Sequence, residues 1–464
     1  MPNESDRNYR RRSLWLDMLD EPLVPRSALH GDAHVDVAIV GAGLTGLWTA
    51  YSLVTARPEL KVMIVERDIA GFGASGRNGG WVSAGIAGSP GRYAKRHGRD
   101  AVVRGTRVTN EAVDEVARVV ASEGIDCGFR KEGTLTVATS APQQARVKSA
   151  LASMGPSGTA NADDVELSAD GVAAHARVAG ALGGWFTPHA AAVDPARLTR
   201  GLAAACERLG VQIVEQTPAL DVRPGEVRTA MGAVRADTVL RCTESYTVQL
   251  PGHQRDYLPL TSLMIATEPL PDHVWDELGW RDGLTIKDKR HLFFYAQRTS
   301  DGRIAIGGRG APYPLRKAMD PSREQDAGTR ERLINVIRTH FPAAAGAAIT
   351  HHWGGTLGVP RDWSMGVHFD AASRVGWAGG YSGHGVVAAN ISGRTLAHLV
   401  LGETSELTSL PWVDHHSRRW EPEPLRWMAS RAIVQTLGSA DRFEDRTDRT
   451  ARRVRLIKRF LPPA

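Results

Sequence analysis

No apolar run in this chain approaches the roughly 18 residues that a helical membrane span requires, and the mean hydropathy is negative, at -0.26. An integral membrane segment is therefore not expected, and the sequence reads as a soluble protein. Cysteine is scarce: Cys127, Cys206 and Cys242 lie far apart. That spacing excludes both a disulfide framework and a cysteine metal cluster, so reduced structural thiols are expected, with no metal site. An export signal is also missing. Arg10-Arg11-Arg12 precedes Leu14-Trp15-Leu16, but Asp17, Asp20 and Glu21 interrupt any apolar core, and a cytoplasmic protein is expected.

Charge is the third thing the body of the chain lacks. The net charge is +6, yet residues 1–12 contribute +2 and residues 441–464 contribute +4. A neutral body argues against a nucleic-acid face. The basic tail has two readings, a patch for acidic lipid or a partner, and a solvated helix that packs Val454, Ile457 and Phe460 on its own protein; the second is preferred. With 464 residues, 42% of them hydrophobic, the chain can bury a large core, and two domains are the default.

The most informative stretch is 36–80. Val37–Val40 is a charge-free β-branched run, the mark of a buried parallel strand. It leads into Gly41-Ala42-Gly43-Leu44-Thr45-Gly46, after which Leu47, Ala50, Tyr51 and Leu53 fall at helical spacing. Gly41 suits the turn, Gly43 the approach of a pyrophosphate to the backbone, and Gly46 the contact of helix with strand. A second strand, Val62–Val65, ends in Glu66, 25 residues after Gly41. A carboxylate there accepts hydrogen bonds from a ribose diol and repels a 2′-phosphate, an exclusion that Arg67 weakens slightly, so FAD or NAD is favoured over NADP. The next segment, 71–80, places five glycines in ten residues. Such a run lays backbone N–H groups along a ligand and offers Ser75, Arg77 and Asn78 as polar contacts, which favours FAD.

On these residues the sequence resembles the D-amino-acid oxidase superfamily of flavoproteins, in the branch of γ-glutamylputrescine, sarcosine and glycine oxidases. The matching pattern is Gly41-x-Gly43-x-x-Gly46-x-x-x-Ala50-x-x-Leu53, then Val62-x-x-x-Glu66, then Ala74-Ser75-Gly76-Arg77-Asn78-Gly79-Gly80. The resemblance covers about 34–430. It implies an α/β fold, a Rossmann-like FAD-binding domain interleaved with an antiparallel-sheet α+β substrate domain. Expected boundaries are a leader at 1–33 draped over the first domain, FAD-binding segments at 34–90, 191–250 and 342–410, substrate segments at 91–190 and 251–341, and a helical extension with a basic tail at 411–464.

Within that frame, residues 91–125 contain a periodic run from Ala101 that reads as an amphipathic helix ending at Gly124, 129–138 reads as a strand and 141–153 as a helix. Asp194 can cap a helix with Pro195 in its first turn, which closes at Gly210 before a strand at 211–214. By the resemblance, Pro218 or Ala219 touches the cofactor, and Thr243 lies in a further contact segment where Cys242 and Glu244 depart from the family pattern. Strands are expected at 260–267, 291–297 and 303–308, with Asp301-Gly302 as a hairpin turn, and a helix at 323–341. The chain then returns with Gly379, Gly380, Ser382, Gly383, His384 and Gly385, a strand-to-helix loop whose N–H groups the family turns toward the flavin. The expected cofactor contacts are thus Gly41, Gly43, Leu44, Thr45, Gly46, Glu66, Arg67, Ala74, Ser75, Arg77, Asn78, Gly79, Gly80, Trp81, Ala219, Thr243, Gly380, Ser382, Gly383, His384 and Gly385.

Amine oxidation needs a substrate C–H held against the flavin, a neutral amine and a dry pocket. Arg309 is read as a carboxylate partner or a structural ion pair, and His384 as a flavin hydrogen-bond partner, a titrating group or a loop support. Tyr295, Phe294, Tyr257, Trp81 and Trp353 are candidates for an aromatic cage, with core packing as the alternative for each. Arg309, His384, Tyr295 and Trp353 make up the expected catalytic set. Arg361 and Asp362 are expected to pair structurally. By the resemblance, FAD is non-covalent, since no cysteine follows Cys242 and no histidine lies in 71–80. Ala305 stands where related oxidases have an oxygen-activating lysine, and Val387 replaces a second family lysine. The readings are an FAD-dependent amine or amino-acid oxidase using O2 and giving H2O2, a dehydrogenase of the same fold passing electrons to a quinone or carrier, and a flavin-bound regulatory protein.

Overall fold

The computed structural model describes residues 4–308, 310, 313–315 and 319–457. Two eight-stranded sheets organise the chain. The first is built on Ala33–Val40, which pairs in parallel with Val62–Val65 on one side and Ala233–Arg241 on the other. Gln212–Val214 extends it beyond Val62–Val65, and Val375–Gly379 beyond Ala233–Arg241. Gly366–Asp370 closes that edge antiparallel to Val375–Gly379. Val62–Val65 is buried throughout, as a parallel strand covered on both faces requires.

Helices Leu44–Ala56 and Gly385–Leu401 pack together on one face of this sheet. Their backbones approach so closely that a β-carbon on Gly393 would lie 2.6 Å from the side chain of Trp48. Helix Arg99–Ser122 completes the layer. The amphipathic helix expected within 91–125 is Arg99–Ser122, and a shorter helix, Pro90–His97, precedes it across Gly98, whose φ is +83°. Helix Pro195–Arg208 is capped by Asp194, whose Oδ1 accepts from the N–H groups of Ala196 and Arg197 at 2.9 and 3.0 Å.

The second sheet runs Ile349–Val359, Leu258–Thr267, Ile304–Gly308, Phe294–Arg298, Thr285–Asp288, Thr134–Ala138, Gly183–Thr187 and Val165–Ser168 in spatial order. All its pairs are antiparallel except Thr285–Asp288 with Thr134–Ala138. Ile349–Val359 was expected with the FAD-binding segments. It instead pairs along its length with Leu258–Thr267, antiparallel, as the edge strand of the second sheet.

The leader is not draped over one unit. Leu14, Trp15, Leu16, Leu19 and Leu23 are buried in a cluster with Ile69 and Ala196 from one side, and Met264, Ala266, Ala305 and Trp353 from the second sheet. Arg10 ties the leader into a compact turn by donating to the carbonyls of Leu19 and Glu21 at 2.7 and 2.9 Å. At the other end, helix Leu425–Thr447 is pinned to the second sheet by Asp441, which accepts from the N–H groups of His291 and Leu292. Val454 lies in a short 3-10 turn, Arg452–Leu456, and Phe460 lies outside the described residues.

Candidate active site

Three glycines make the first turn possible, each for a different reason. Gly41 has φ +106°, and a β-carbon there would lie 2.7 Å from the carbonyl oxygen of Cys242. Gly46 sits against the turn itself, with a β-carbon position only 2.0 Å from the Gly41 oxygen. Gly43 is different: the nearest atom to its β-carbon position is Ser75 Oγ, at 3.0 Å. That leaves a cradle over the first turn of helix Leu44–Ala56, whose leading N–H groups have no partner within the helix. Ser75 reaches into this cradle, its Oγ accepting from Leu44 N–H at 2.9 Å.

Glu66 closes the other side. Its carboxylate accepts from the N–H groups of Ala42 and Asp68 at 2.8 and 2.9 Å. Burial pushes this carboxyl up to about 7 against the pull of those N–H donors. Arg67 turns away to Asp68 and Gln249 and lies over the Tyr246 ring. Ala219 begins the edge strand Ala219–Arg223, and the Thr243 hydroxyl bonds that of Thr247 at 2.7 Å.

The 74–80 segment is held from both sides. Asn78 spends its side chain within it, donating to Ala74 O and Ser75 O and accepting from Gly80 N–H. The Arg77 side chain is fully buried and faces Glu324, Nη1 to Oε2 at 2.7 Å. Both side chains were expected to face the cofactor; the local hydrogen bonds and the buried ion pair take them elsewhere, leaving only their backbones at the segment. Trp353, expected in the catalytic set, is 2% exposed, and its Nε1 donates to Arg77 O at 3.0 Å. It belongs to the packing beneath the segment.

Of the aromatic candidates, the structure brings together two. Tyr295 and Trp81 meet edge to face, ring centroids 6.0 Å apart. Tyr295 lies between Gly79 and Gly307, where β-carbons would come within 2.8 and 2.3 Å of its ring, and its hydroxyl is 2.8 Å from Ser262 Oγ. Trp81 Nε1 is buried with no hydrogen-bond partner among the described residues. Phe294 faces the opposite side of its strand, in the core with Leu333 and Phe341. Tyr257 is buried behind Gly379, its hydroxyl 2.9 Å from that glycine's β-carbon position. Neither belongs to the cage: strand alternation and loop packing point them away. Arg309 lies outside the described residues.

The second glycine loop is tied to the first. Tyr381 Oη and Thr45 Oγ1 are 2.8 Å apart, both buried. Glu244, which appeared in sequence only as a departure from pattern, is the hub: its carboxylate accepts from Gly358, Gly380 and Tyr381 N–H at 2.6, 3.1 and 3.2 Å. Burial pushes it up to about 7 against those donors. Ser382 turns its hydroxyl to the Trp363 carbonyl at 3.2 Å. His384 is exposed at the start of helix Gly385–Leu401, with Nδ1 3.6 Å from the β-carbon position of Gly85. Arg361 and Asp362 do pair structurally, with Glu421 and His415 rather than each other.

A model of the DAO family, described as FAD dependent oxidoreductase, matches residues 36–399. The chain belongs to that family. It is 31% identical over 391 residues to the probable oxidoreductase OrdL of Haemophilus influenzae, covering 81% of this chain and 85% of that one. It is 28% identical to γ-glutamylputrescine oxidoreductase of Escherichia coli, over 84% of this chain and 89% of the relative. Among solved structures it resembles glycine oxidase from Geobacillus kaustophilus, with TM-score 0.68 and 19% identity, over 82% of this chain and 99% of the other. It also resembles L-α-glycerophosphate oxidase from Mycoplasma pneumoniae with FAD bound, with TM-score 0.62 and 17% identity, over 79% and 95% of the two chains. The cofactor is FAD, and this family member's residues fit it. Gly43 puts no side chain over the start of helix Leu44–Ala56, the Ser75 hydroxyl stands beside it, and Glu66 stands at the end of the adjoining strand. Among the described residues no helix is long and apolar enough to cross a membrane.

Proposed function

We propose that the protein oxidises a primary or secondary amine, or an amino acid, to an imine that hydrolyses, with dioxygen as acceptor and hydrogen peroxide as by-product. The observation that carries this reading is the pairing of the FAD-fitting glycine turn with relatives that act on amines. γ-Glutamylputrescine oxidoreductase aligns over 84% of this chain, and a glycine oxidase of Bacillus subtilis over 80%. FAD, held without a covalent link, supplies the two-electron acceptor.

In this reading Gly41, Gly43, Leu44, Thr45 and Gly46 present the first-turn N–H groups to the pyrophosphate, with Ser75 beside them. Glu66 accepts from the ribose hydroxyls, and Ala219 and Thr243 line the same side. The backbones of Ala74 to Gly80 run along the cofactor, and Gly380 to Gly385 supply the positive end of the second helix. Tyr295 and Trp81 form the aromatic wall on which the amine lies, and the Tyr295–Ser262 hydroxyl pair orients it without adding a charge. That neutrality keeps the amine able to lose a proton before its C–H is transferred. His384 stands at the rim as a partner for the substrate or cofactor. Arg309, next in sequence to the strand Ile304–Gly308, meets a substrate carboxylate where there is one.

A second reading, a dehydrogenase that passes electrons to a quinone or carrier protein, is favoured by one observation. Ala305, the position aligned with an oxygen-activating lysine, is fully buried against the leader.

The test is an absorption spectrum before and after acid precipitation, then anaerobic addition of amines and amino acids. Yellow colour released to the supernatant, bleached by one amine and restored in air, supports the oxidase. Bleaching without rapid recovery in air selects the dehydrogenase. Protein that cannot be loaded with FAD overturns both.

A further inference from the structure

We propose that the leader is a working part of the cofactor site, with Trp15 as a positioning residue for the segment Ala74 to Gly80; this rests on the reading that the segment contacts FAD. The leader lies outside the residues 36–399 that the family model matches. Trp15 is 1% exposed, and its Nε1 donates to Asn78 O at 2.8 Å. Trp353 donates to the neighbouring carbonyl, Arg77 O, at 3.0 Å. The two indoles meet edge to face at 6.2 Å and 85°, so each fixes the other while both hold consecutive peptide carbonyls from beneath.

The opposite side of the segment carries Ser75, bonded to the helix start. The backbone between is short, and rotation of the 77–78 carbonyls would move the very N–H groups that face the cofactor. A buried carbonyl deprived of its donor does not stay in place; it turns toward water. The leader is itself anchored on both flanks. Asp6 accepts from Leu23 N–H at 2.6 Å. Arg26 Nη1 donates to the fully buried Glu215 at 2.7 Å, and Glu215 accepts from Ala70 N–H at 2.7 Å as well. Arg200 pairs with Glu21, and Gln216 donates to Tyr9 Oη at 2.7 Å. The leader thus bonds the run from Glu66 to Gly80 directly at Asn78 and reaches its Ala70 through Glu215. A leader needed only to cover apolar surface would require its buried leucines, not an indole donor aimed at the carbonyl next to the one that Trp353 holds.

The experiment compares Trp15→Phe with Trp412→Phe in the full-length apoprotein. Trp412 is equally buried, and its Nε1 has no partner among the described residues. Both changes remove the same indole volume, but only the first removes a donor from the cofactor segment. Trp15→Phe should weaken FAD binding about tenfold, while Trp412→Phe leaves it within about twofold of the unmodified protein. FAD affinity within about twofold of the unmodified protein would overturn the proposal.

Should Trp15→Phe fail to fold, the unmodified protein answers by reciprocity. Saturating apoprotein with FAD should raise amide hydrogen-exchange protection at residues 14–19 about tenfold, and unchanged protection there overturns the proposal. Failure of the unmodified protein to bind FAD would sink the functional reading, whereas normal binding with an indifferent leader sinks only this inference.

Discussion

Gly43 and Gly46 are three residues apart, yet the structure assigns them separable roles that two alanine substitutions can resolve. In Gly46→Ala the new β-carbon would stand 2.0 Å from the Gly41 carbonyl oxygen, where real contacts essentially never fall below 3.0 Å. Helix Leu44–Ala56 must therefore retreat by about 1 Å, and that strain in a packed core costs about 3 kcal/mol. Alanine's better helix propensity returns about 1 kcal/mol, leaving a net loss of about 2 kcal/mol in the apoprotein. Gly43→Ala meets only Ser75 Oγ at 3.0 Å, and its φ of -83° with ψ 177° suits alanine. Stability should change by less than about 1 kcal/mol. The methyl group, however, occupies the cradle over Leu44 N–H. Loss of charge-assisted bonds to a phosphate costs roughly 2 kcal/mol, or some thirtyfold in FAD affinity. Urea unfolding of each apoprotein and titration with FAD measure the two effects separately. Gly43→Ala that binds FAD within about twofold of the unmodified protein, or Gly46→Ala that unfolds at an unchanged urea concentration, would refute this separation of roles.

Glu324→Gln strips the buried Arg77 guanidinium of its counter-charge, so urea unfolding should show a loss of roughly 3 kcal/mol. Glu244, pushed up to about 7 from its ordinary 4.5, binds its proton more tightly in the folded apoprotein than in the unfolded chain; its contribution is present in full below about pH 4.5 and is lost as pH rises through about 7. Relative to Glu244→Gln, the unmodified apoprotein should therefore lose about 2.5 kcal/mol of stability between pH 5 and 8, and parallel unfolding curves at both pH values would contradict that protonation state. Tyr295→Phe keeps the ring between Gly79 and Gly307 but removes the hydroxyl bonded to Ser262. The amine KM should rise about fivefold with FAD affinity unchanged, and a steady-state comparison that finds the same KM removes Tyr295 from substrate orientation.

The first turn of the cofactor site was legible because its physics is local. A strand, a tight glycine turn and a helix start are adjacent in sequence, and Glu66 ends the neighbouring parallel strand two residues past Ile64, which pairs with Ile39. The antiparallel character of the second sheet was also legible from its alternating runs. What stayed hidden was which face of each strand met which neighbour. Phe294 and Tyr295 are adjacent, so one had to enter the core and the other the opposite face; only the sheet's position between Leu333 and Gly79 decides which. Trp353 pairs with Met264 in register, and that register turns it toward the leader. Arg77 read as a polar contact for the cofactor, but Glu324, 247 residues away, holds its side chain.

The sequence by itself determined the cofactor class and the two glycine-rich helix starts, because short-range backbone geometry and the chemistry of exposed N–H groups depend on residues next to one another. Only the tertiary structure decided the roles of Glu244, Trp15 and Trp353. Glu244 joins N–H groups from Gly358, Gly380 and Tyr381, and Trp15 reaches a carbonyl 63 residues on. Such contacts satisfy buried polar groups across long sequence separations, and it is the packing of one sheet against the other, with the leader wedged between, that brings them into reach.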